Sequence, residues 1–229
     1  MRFIILATQR TGSTLLVSYL KCHENTPCYG ELFQGIKTPR LSVPRYIEWK
    51  RFYRKNIKRY IDNHLPENGG FKLMYGQLDR YPELRELLIH RNTFIIHLQR
   101  KNLLRRYVSL QLAKEFNKWS NKEKPEFRSI KLNPLQTLQA LIKTNQQVKS
   151  HQTFKETNSY MDIFYEDVSK TPKIVLDKIW NQLGELPVCF STNLVKQNPY
   201  PLKSMLINFH DVKNILAGTP FEWMLYDDT

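Results

Sequence analysis

Very little in this sequence of 229 residues points to a chain that is stapled or anchored. There are three cysteines, Cys22, Cys28 and Cys189, an odd number with no C-x-x-C pair and no histidine spaced to complete a metal site. A disulfide framework and a zinc finger are thereby excluded, and the three are expected to be reduced, mostly buried thiols of a cytoplasmic protein. Long apolar runs are also missing. The stretches around Phe3 and Phe94 fall well short of the ~18 residues that suggest a membrane span. The first of them passes straight into a polar glycine turn without a cleavage-like segment, so no signal peptide is expected. Linkers rich in Pro, Gly or Ser and internal repeats are absent too, which leaves one domain over residues 1–229 as the simplest division.

Acid is the remaining scarcity. Against 35 Lys and Arg stand 21 Asp and Glu, a formal charge of +14 that favours an anionic ligand: nucleotide, nucleic acid, acidic glycan or anionic surface. The richest stretch of such charge is a helical pattern from Pro44 to Leu65. There Tyr46, Trp49, Tyr53, Ile57, Tyr60 and Ile61 share one side, and Arg45, Lys50, Arg51, Arg54, Lys55, Lys58 and Arg59 fill the rest. A solvated basic face over an aromatic packing face explains it better than a nucleic-acid or lipid site.

The chain is organised around its start, Phe3-Ile4-Ile5-Leu6-Ala7-Thr8-Gln9-Arg10-Thr11-Gly12-Ser13-Thr14-Leu15-Leu16. A short apolar run reads as a buried parallel strand, and the glycine turn leads into the helical spacing of Leu15, Leu16, Tyr19 and Leu20. Strand, tight turn and helix start make an anion site. Gly12 permits a close backbone approach, the N–H groups near Ser13 and Thr14 carry the positive end of the helix dipole, and Arg10 adds a fork of donors. The nucleoside-triphosphatase pattern G-x-x-x-x-G-K-[ST] does not fit, because Ser13 follows Gly12 and the cation stands two residues before the glycine.

Further strands are expected at Phe71–Met74, Thr93–Leu98 and Ser159–Phe164, with helices from about Asp79 to His90, through Leu104 to Phe116, from Pro134 to about Lys149, from Pro172 to Gly184 and from about Leu202 to Leu216. Strands alternating with helices indicate an α/β fold with a central, mostly parallel sheet flanked by helices, and ligands bound beyond the carboxyl ends of the strands. Lys72, inside a strand that is otherwise apolar, requires either a route to water or an anion. His97, inside the next strand, reads as a satisfied core residue. Tyr165 and Glu166 follow the last strand at the ligand edge.

Arg10-Thr11-Gly12-Ser13-Thr14 after an N-terminal strand resembles the 5′-phosphosulfate loop of sulfotransferases that use 3′-phosphoadenosine 5′-phosphosulfate (PAPS). Arg100-Lys101-Asn102-Leu103-Leu104-Arg105-Arg106-Tyr107-Val108-Ser109 resembles their 3′-phosphate element, in which an Arg at the strand end and a Ser on the next helix hold the phosphate. Glu31-Leu32-Phe33-Gln34, Phe71-Lys72-Leu73-Met74 and Tyr165-Glu166-Asp167-Val168 are similar to segments of the bacterial carbohydrate branch, which includes the trehalose and nodulation-factor enzymes. Thr11, where Ser is commoner, is a departure. The resemblance implies a P-loop-like three-layer fold and transfer of a sulfuryl group to a hydroxyl of a carbohydrate, glycolipid or similar acceptor. It assigns Glu31 as general base and Arg10 to charge stabilisation. Gln9, Arg10, Thr11, Gly12, Ser13, Thr14, Arg100, Ser109 and Lys196 are expected to bind PAPS, whose product is adenosine 3′,5′-bisphosphate. Lys72 and Tyr165 are expected on the acceptor side, and no metal is called for. The expected partner is a small-molecule or glycan acceptor rather than nucleic acid, without a membrane span and with a homodimer left open. The competing readings are a nucleotide-dependent kinase and a non-catalytic basic module that binds polyanions.

Overall fold

The four expected strand runs and the segment Cys28–Glu31 form one sheet in the computed structural model, which describes residues 1–33, 57–89, 92–119, 125–156 and 159–226. The strands are β1 (Arg2–Ala7), β2 (Cys28–Glu31), β3 (Gly70–Met74), β4 (Thr93–Gln99) and β5 (Ser159–Phe164). Among the described residues the helices are α1 (Ser13–Leu20), α2 (Ile57–His64), α3 (Tyr75–Arg80), α4 (Glu86–Ile89), α5 (Leu103–Glu115) and α6 (Pro134–His151). They continue with α7 (Tyr165–Lys170), α8 (Pro172–Leu183), α9 (Leu202–Met205) and α10 (Phe209–Leu216). The basic helical pattern before Ile57 and the residue Gln34 lie outside the described residues.

Two compact units make up this architecture, and the sheet lies wholly in the first, Met1–Thr8, Gly12–Gln99 and Gln152–Ser191. Its strand order is β2-β3-β1-β4-β5, every neighbouring pair parallel. Alternation sends Phe3, Ile5 and Ala7 of β1 and Phe94, Ile96 and Leu98 of β4 to one face, where Leu16 and Leu20 of α1 and Leu176, Ile179 and Trp180 of α8 bury them. On the other face Phe71 meets Phe33 edge to face, and Phe33 meets Tyr60 of α2. His97, fully buried, lies between Tyr75 Oη at Nε2 and Tyr160 Oη at Nδ1, so it is the satisfied core histidine its context suggested. The connection from β1 leads to β2 at one edge and that from β4 to β5 at the other. Diverging connections of this kind mark the switch point where open α/β sheets take ligands.

The second unit comprises Gln9–Thr11, Arg100–His151 and Thr192–Thr229. Its core joins Leu104, Val108 and Leu112 of α5 to Leu141 of α6 and to Val212, Leu216, Met224 and Leu225. Asn102 caps α5 by accepting the Arg105 N–H at 2.8 Å, and its amide donates to the Met224 carbonyl at 2.9 Å. Asn133, just before Pro134, caps α6 in the same way.

Two expected helices are broken. Asp79–His90 gives way to α3, which starts at Tyr75, a 3₁₀ turn at Pro82–Arg85 and α4. Tyr81 leaves the helical region (φ −132°, ψ 79°) because a residue before proline is pushed out of it. The tail helix divides into α9 and α10 because Ile130 bridges to Leu206 while the Asn208 amide exchanges bonds with both backbone groups of Leu132. The cysteines are all free thiols, yet only Cys28 is buried; Cys22 is half-buried and Cys189 exposed, because Cys189 lies in the irregular stretch after α8.

Candidate active site

In the second unit the turn after β1 is gripped by arginines from α5 and its approach. Arg106 Nη1 donates to the Gln9 carbonyl at 3.1 Å and Arg100 Nη1 to the Arg10 carbonyl at 3.2 Å. A trans peptide points its carbonyl and the following N–H in opposite directions, so fixing these two carbonyls turns the N–H groups of Arg10 and Thr11 the other way. Arg10 has a positive φ of 66° and Thr11 a negative one. That change of hand is the pattern in which successive N–H groups curl towards one side as an anion nest.

The Arg10 side chain donates to three neutral oxygens. Its Nε donates to Ser109 Oγ at 3.0 Å, its Nη1 to the Trp119 carbonyl at 2.5 Å and its Nη2 to Gln197 Oε1 at 2.5 Å. Asn198 Nδ2 donates to the same Ser109 hydroxyl at 3.1 Å, and Arg105 ties the tail down through the Tyr200 carbonyl at 2.9 Å. The Ser109 hydroxyl thus gathers donors from Arg10 and Asn198. A cleft opens here, lined among others by Ser109, Lys118, Arg128, Gln197 and Asn198. Glu126 also lines it, and bonding to Arg128 at 2.6 Å holds that carboxyl below its usual range. Lys196, one residue before Gln197, is exposed.

In the first unit the helix start follows. Gly12 has φ 78° and sits at the N-cap of α1, whose first full helical bond runs from the Leu16 N–H to the Gly12 carbonyl at 3.1 Å. The N–H groups of Ser13, Thr14 and Leu15 precede that bond, as at any helix start. Ser13 is buried and Thr14 exposed. Glycine is required twice over, for the left-handed φ and because a Cβ there would meet Tyr165 Cδ2 at 2.3 Å. Tyr165 thus packs its ring on Gly12.

Also in the first unit, a carboxylate and an ammonium group meet at the end of β2. Tyr29 pairs with Phe71 but Glu31 pairs with Lys72, leaving Gly30 as an extra residue. Such a bulge re-aims the next side chain: in a regular ladder Glu31 would stand opposite Leu73 and face the other way. Lys72 Nζ lies 3.0 Å from Glu31 Oε1, with side chains only 11% and 19% exposed. Lys72 has therefore found its anion. Gln77 Nε2 approaches the second oxygen, Glu31 Oε2, at 3.3 Å.

Gln77, Gln197 and Asn198 escape a reading of the sequence, because a neutral amide in a polar loop carries no charge or periodicity signal. Among the described residues no three His, Cys, Asp or Glu side chains gather as a metal site, and no helix is long and apolar enough to cross a membrane. No family model matches the chain, and no curated protein sequence matches it. Among solved structures the chain is similar to a sulfotransferase from Alicyclobacillus acidocaldarius at 14% identity, over 99% of this chain and 96% of that one, with a TM-score of 0.48.

Proposed function

We propose that this chain is a PAPS-dependent sulfotransferase acting on a hydroxyl of a carbohydrate, glycolipid or similar acceptor. One observation carries the reading. Arg10 and Arg100, ninety positions apart, stand side by side, with the Arg10 guanidinium on the Ser109 hydroxyl. Guanidinium, hydroxyl, amide and backbone N–H are the donors that phosphate and sulfate oxygens accept. This donor set fits PAPS.

When bound, PAPS supplies a sulfuryl group on a phosphate leaving group. Arg10 exchanges neutral oxygens for anionic ones and opposes the charge that builds on the sulfuryl and bridging oxygens, a strengthening that occurs where charge develops. Arg100 and Ser109 hold the 3′-phosphate, with Lys196, Gln197 and Asn198 supplying further donors from the tail. Glu31 takes the proton of the attacking hydroxyl. The new bond joins the acceptor oxygen to sulfur, the bond from sulfur to the bridging oxygen breaks, and its electron pair stays on the 5′-phosphate of adenosine 3′,5′-bisphosphate. Lys72, 3.0 Å from Glu31 Oε1, holds the carboxylate in place.

Incubation with [³⁵S]PAPS and a panel of glycans, glycolipids and small alcohols tests the reading, alongside thermal unfolding with nucleotides. Label on a hydroxylated acceptor is expected, together with stabilisation by the bisphosphate. At a hundredfold excess over Kd that stabilisation is ~2.7 kcal/mol, which moves Tm by roughly 5–10 °C. Stabilisation by Mg²⁺-ATP in its place identifies a kinase, and a response to polyanions alone identifies a binding module.

A further inference from the structure

We infer that Gln77 is a positioning residue that holds Glu31 in the orientation from which it accepts a proton; this rests on the reading of Glu31 as general base. The geometry leaves the amide little choice. Gln77 is the third residue of α3, and its Oε1 accepts the Met74 N–H at 2.9 Å. Only the oxygen end of an amide accepts, so this bond fixes which way round the group lies and aims Nε2 at Glu31 Oε2. With Lys72 on Oε1, each carboxylate oxygen carries one donor from the described residues. An ionised carboxylate has about four lone-pair sites, so lone pairs remain for an incoming hydroxyl proton. Both holders come from one contiguous stretch, Lys72 to Gln77, that runs from β3 directly into α3. The bulge at Gly30 then delivers Glu31 to a pair of donors whose spacing is already set.

The chemistry of the second holder matters. A second ammonium group would bind the anion more tightly than the protonated acid and resist proton uptake, whereas a neutral amide orients the carboxylate at much smaller electrostatic cost. The amide also ties Glu31 to the helix start, so the carboxylate is fixed to two elements.

Gln77→Glu separates positioning from capping. The two side chains have the same length, and the new carboxylate still offers the Met74 N–H an oxygen at a helix start that favours negative charge. A residue that only caps α3 tolerates this change. A residue that positions Glu31 does not, because a donor has become an anion facing an anion. The assay is hydrolysis of [³⁵S]PAPS by the full chain, with water standing in for the acceptor, and thermal unfolding with the bisphosphate. The expected result is Tm and bisphosphate shift close to wild type with sulfate release reduced about tenfold to a hundredfold, the size typical of a reacting group displaced by an ångström. Unchanged release overturns the inference. If the wild-type chain neither responds to the bisphosphate nor releases sulfate, sulfuryl transfer is itself refuted. The decision on Gln77 then falls to its side-chain amide resonances in ¹⁵N-labelled protein, as it does if Gln77→Glu fails to fold. Those resonances move on Glu31→Gln if the two side chains are coupled and stay put if they are not.

Discussion

Two groups of side chains, one in each unit, spend positive charge in opposite ways. Lys72 is matched against a carboxylate at 3.0 Å in surroundings that exclude most water, while the Arg10 donations to Ser109, Trp119 and Gln197 all end on neutral oxygens. An ammonium group already on an anion gains little from another. A guanidinium on neutral oxygens gains when they are replaced by charged ones, since charge-assisted bonds are about twice as strong. On the proposed function, the first group handles a proton and the second collects an anion. Their origins differ as well. Adjacent strands and a one-residue bulge assemble the first, whereas the second joins residues separated by up to 187 positions, from Arg10 to Gln197.

The largest effect that separates the two groups is expected from Glu31→Gln. Turnover should fall by ~10² to 10⁴, the usual worth of a general base, with the bisphosphate still binding as in wild type. Unchanged turnover would remove Glu31 from the chemistry. Next in size is Lys72→Met, which leaves Glu31 enclosed without its cation. Removing one partner of a buried pair costs about 3–5 kcal/mol, so Tm should drop by roughly 6–20 °C in a chain of this length. A drop below 2 °C would mean that Glu31 is better hydrated than its 19% exposure implies.

Smaller again is Gly12→Ala. The left-handed φ costs about 1–2 kcal/mol for a residue with a Cβ, and displacing the Tyr165 ring costs at least about 1 more. A Tm lowered by roughly 4–12 °C is expected, and an unaltered Tm would show that the ring moves aside freely. The least effect belongs to pH. Burial pushes the Cys28 thiol up to about 12. Between its ordinary value near ~8.5 and that figure, the unfolded chain gives up the proton while the folded chain keeps it. The unfolded state then binds fewer protons, so stability falls as pH rises above about 9, by at most ~1.4 kcal/mol per pH unit. Cys28→Ala should flatten that decline in thermal unfolding between about pH 9 and 11; an equal slope in both proteins would locate its cause elsewhere.

Much of this was legible in the residues themselves. β5 and α8 have the expected bounds, because Ser159–Phe164 is a clean β run and because Pro172 at N1 and Gly184, with φ 79°, punctuate the helix. Both basic turns follow parallel strands that end together, Ala7 opposite Leu98. Tyr81-Pro82 is a readable break in the expected helix, although the apolar period runs on through Leu84 and Leu88. The division of the tail helix was not readable, since it depends on the bridge to Ile130 and on Leu132, residues more than seventy positions away. Nor was the pairing of Glu31 with Lys72. A regular register would have put Leu73 opposite Glu31, and only the extra Gly30 changes it. Local patterns thus specify the elements, and the contacts that complete each group come from across the chain.

The most direct measurement is titration calorimetry of adenosine 3′,5′-bisphosphate into the wild-type chain, Arg100→Ala and Glu31→Gln. Saturable one-to-one binding is expected for the wild type. Loss of charge-assisted bonds, each worth about 1.5–3 kcal/mol, should weaken Arg100→Ala by tenfold or more, while Glu31→Gln matches wild type. Equal affinity in Arg100→Ala, or no heat with the wild type, would contradict an anion site built around Arg10 and Arg100.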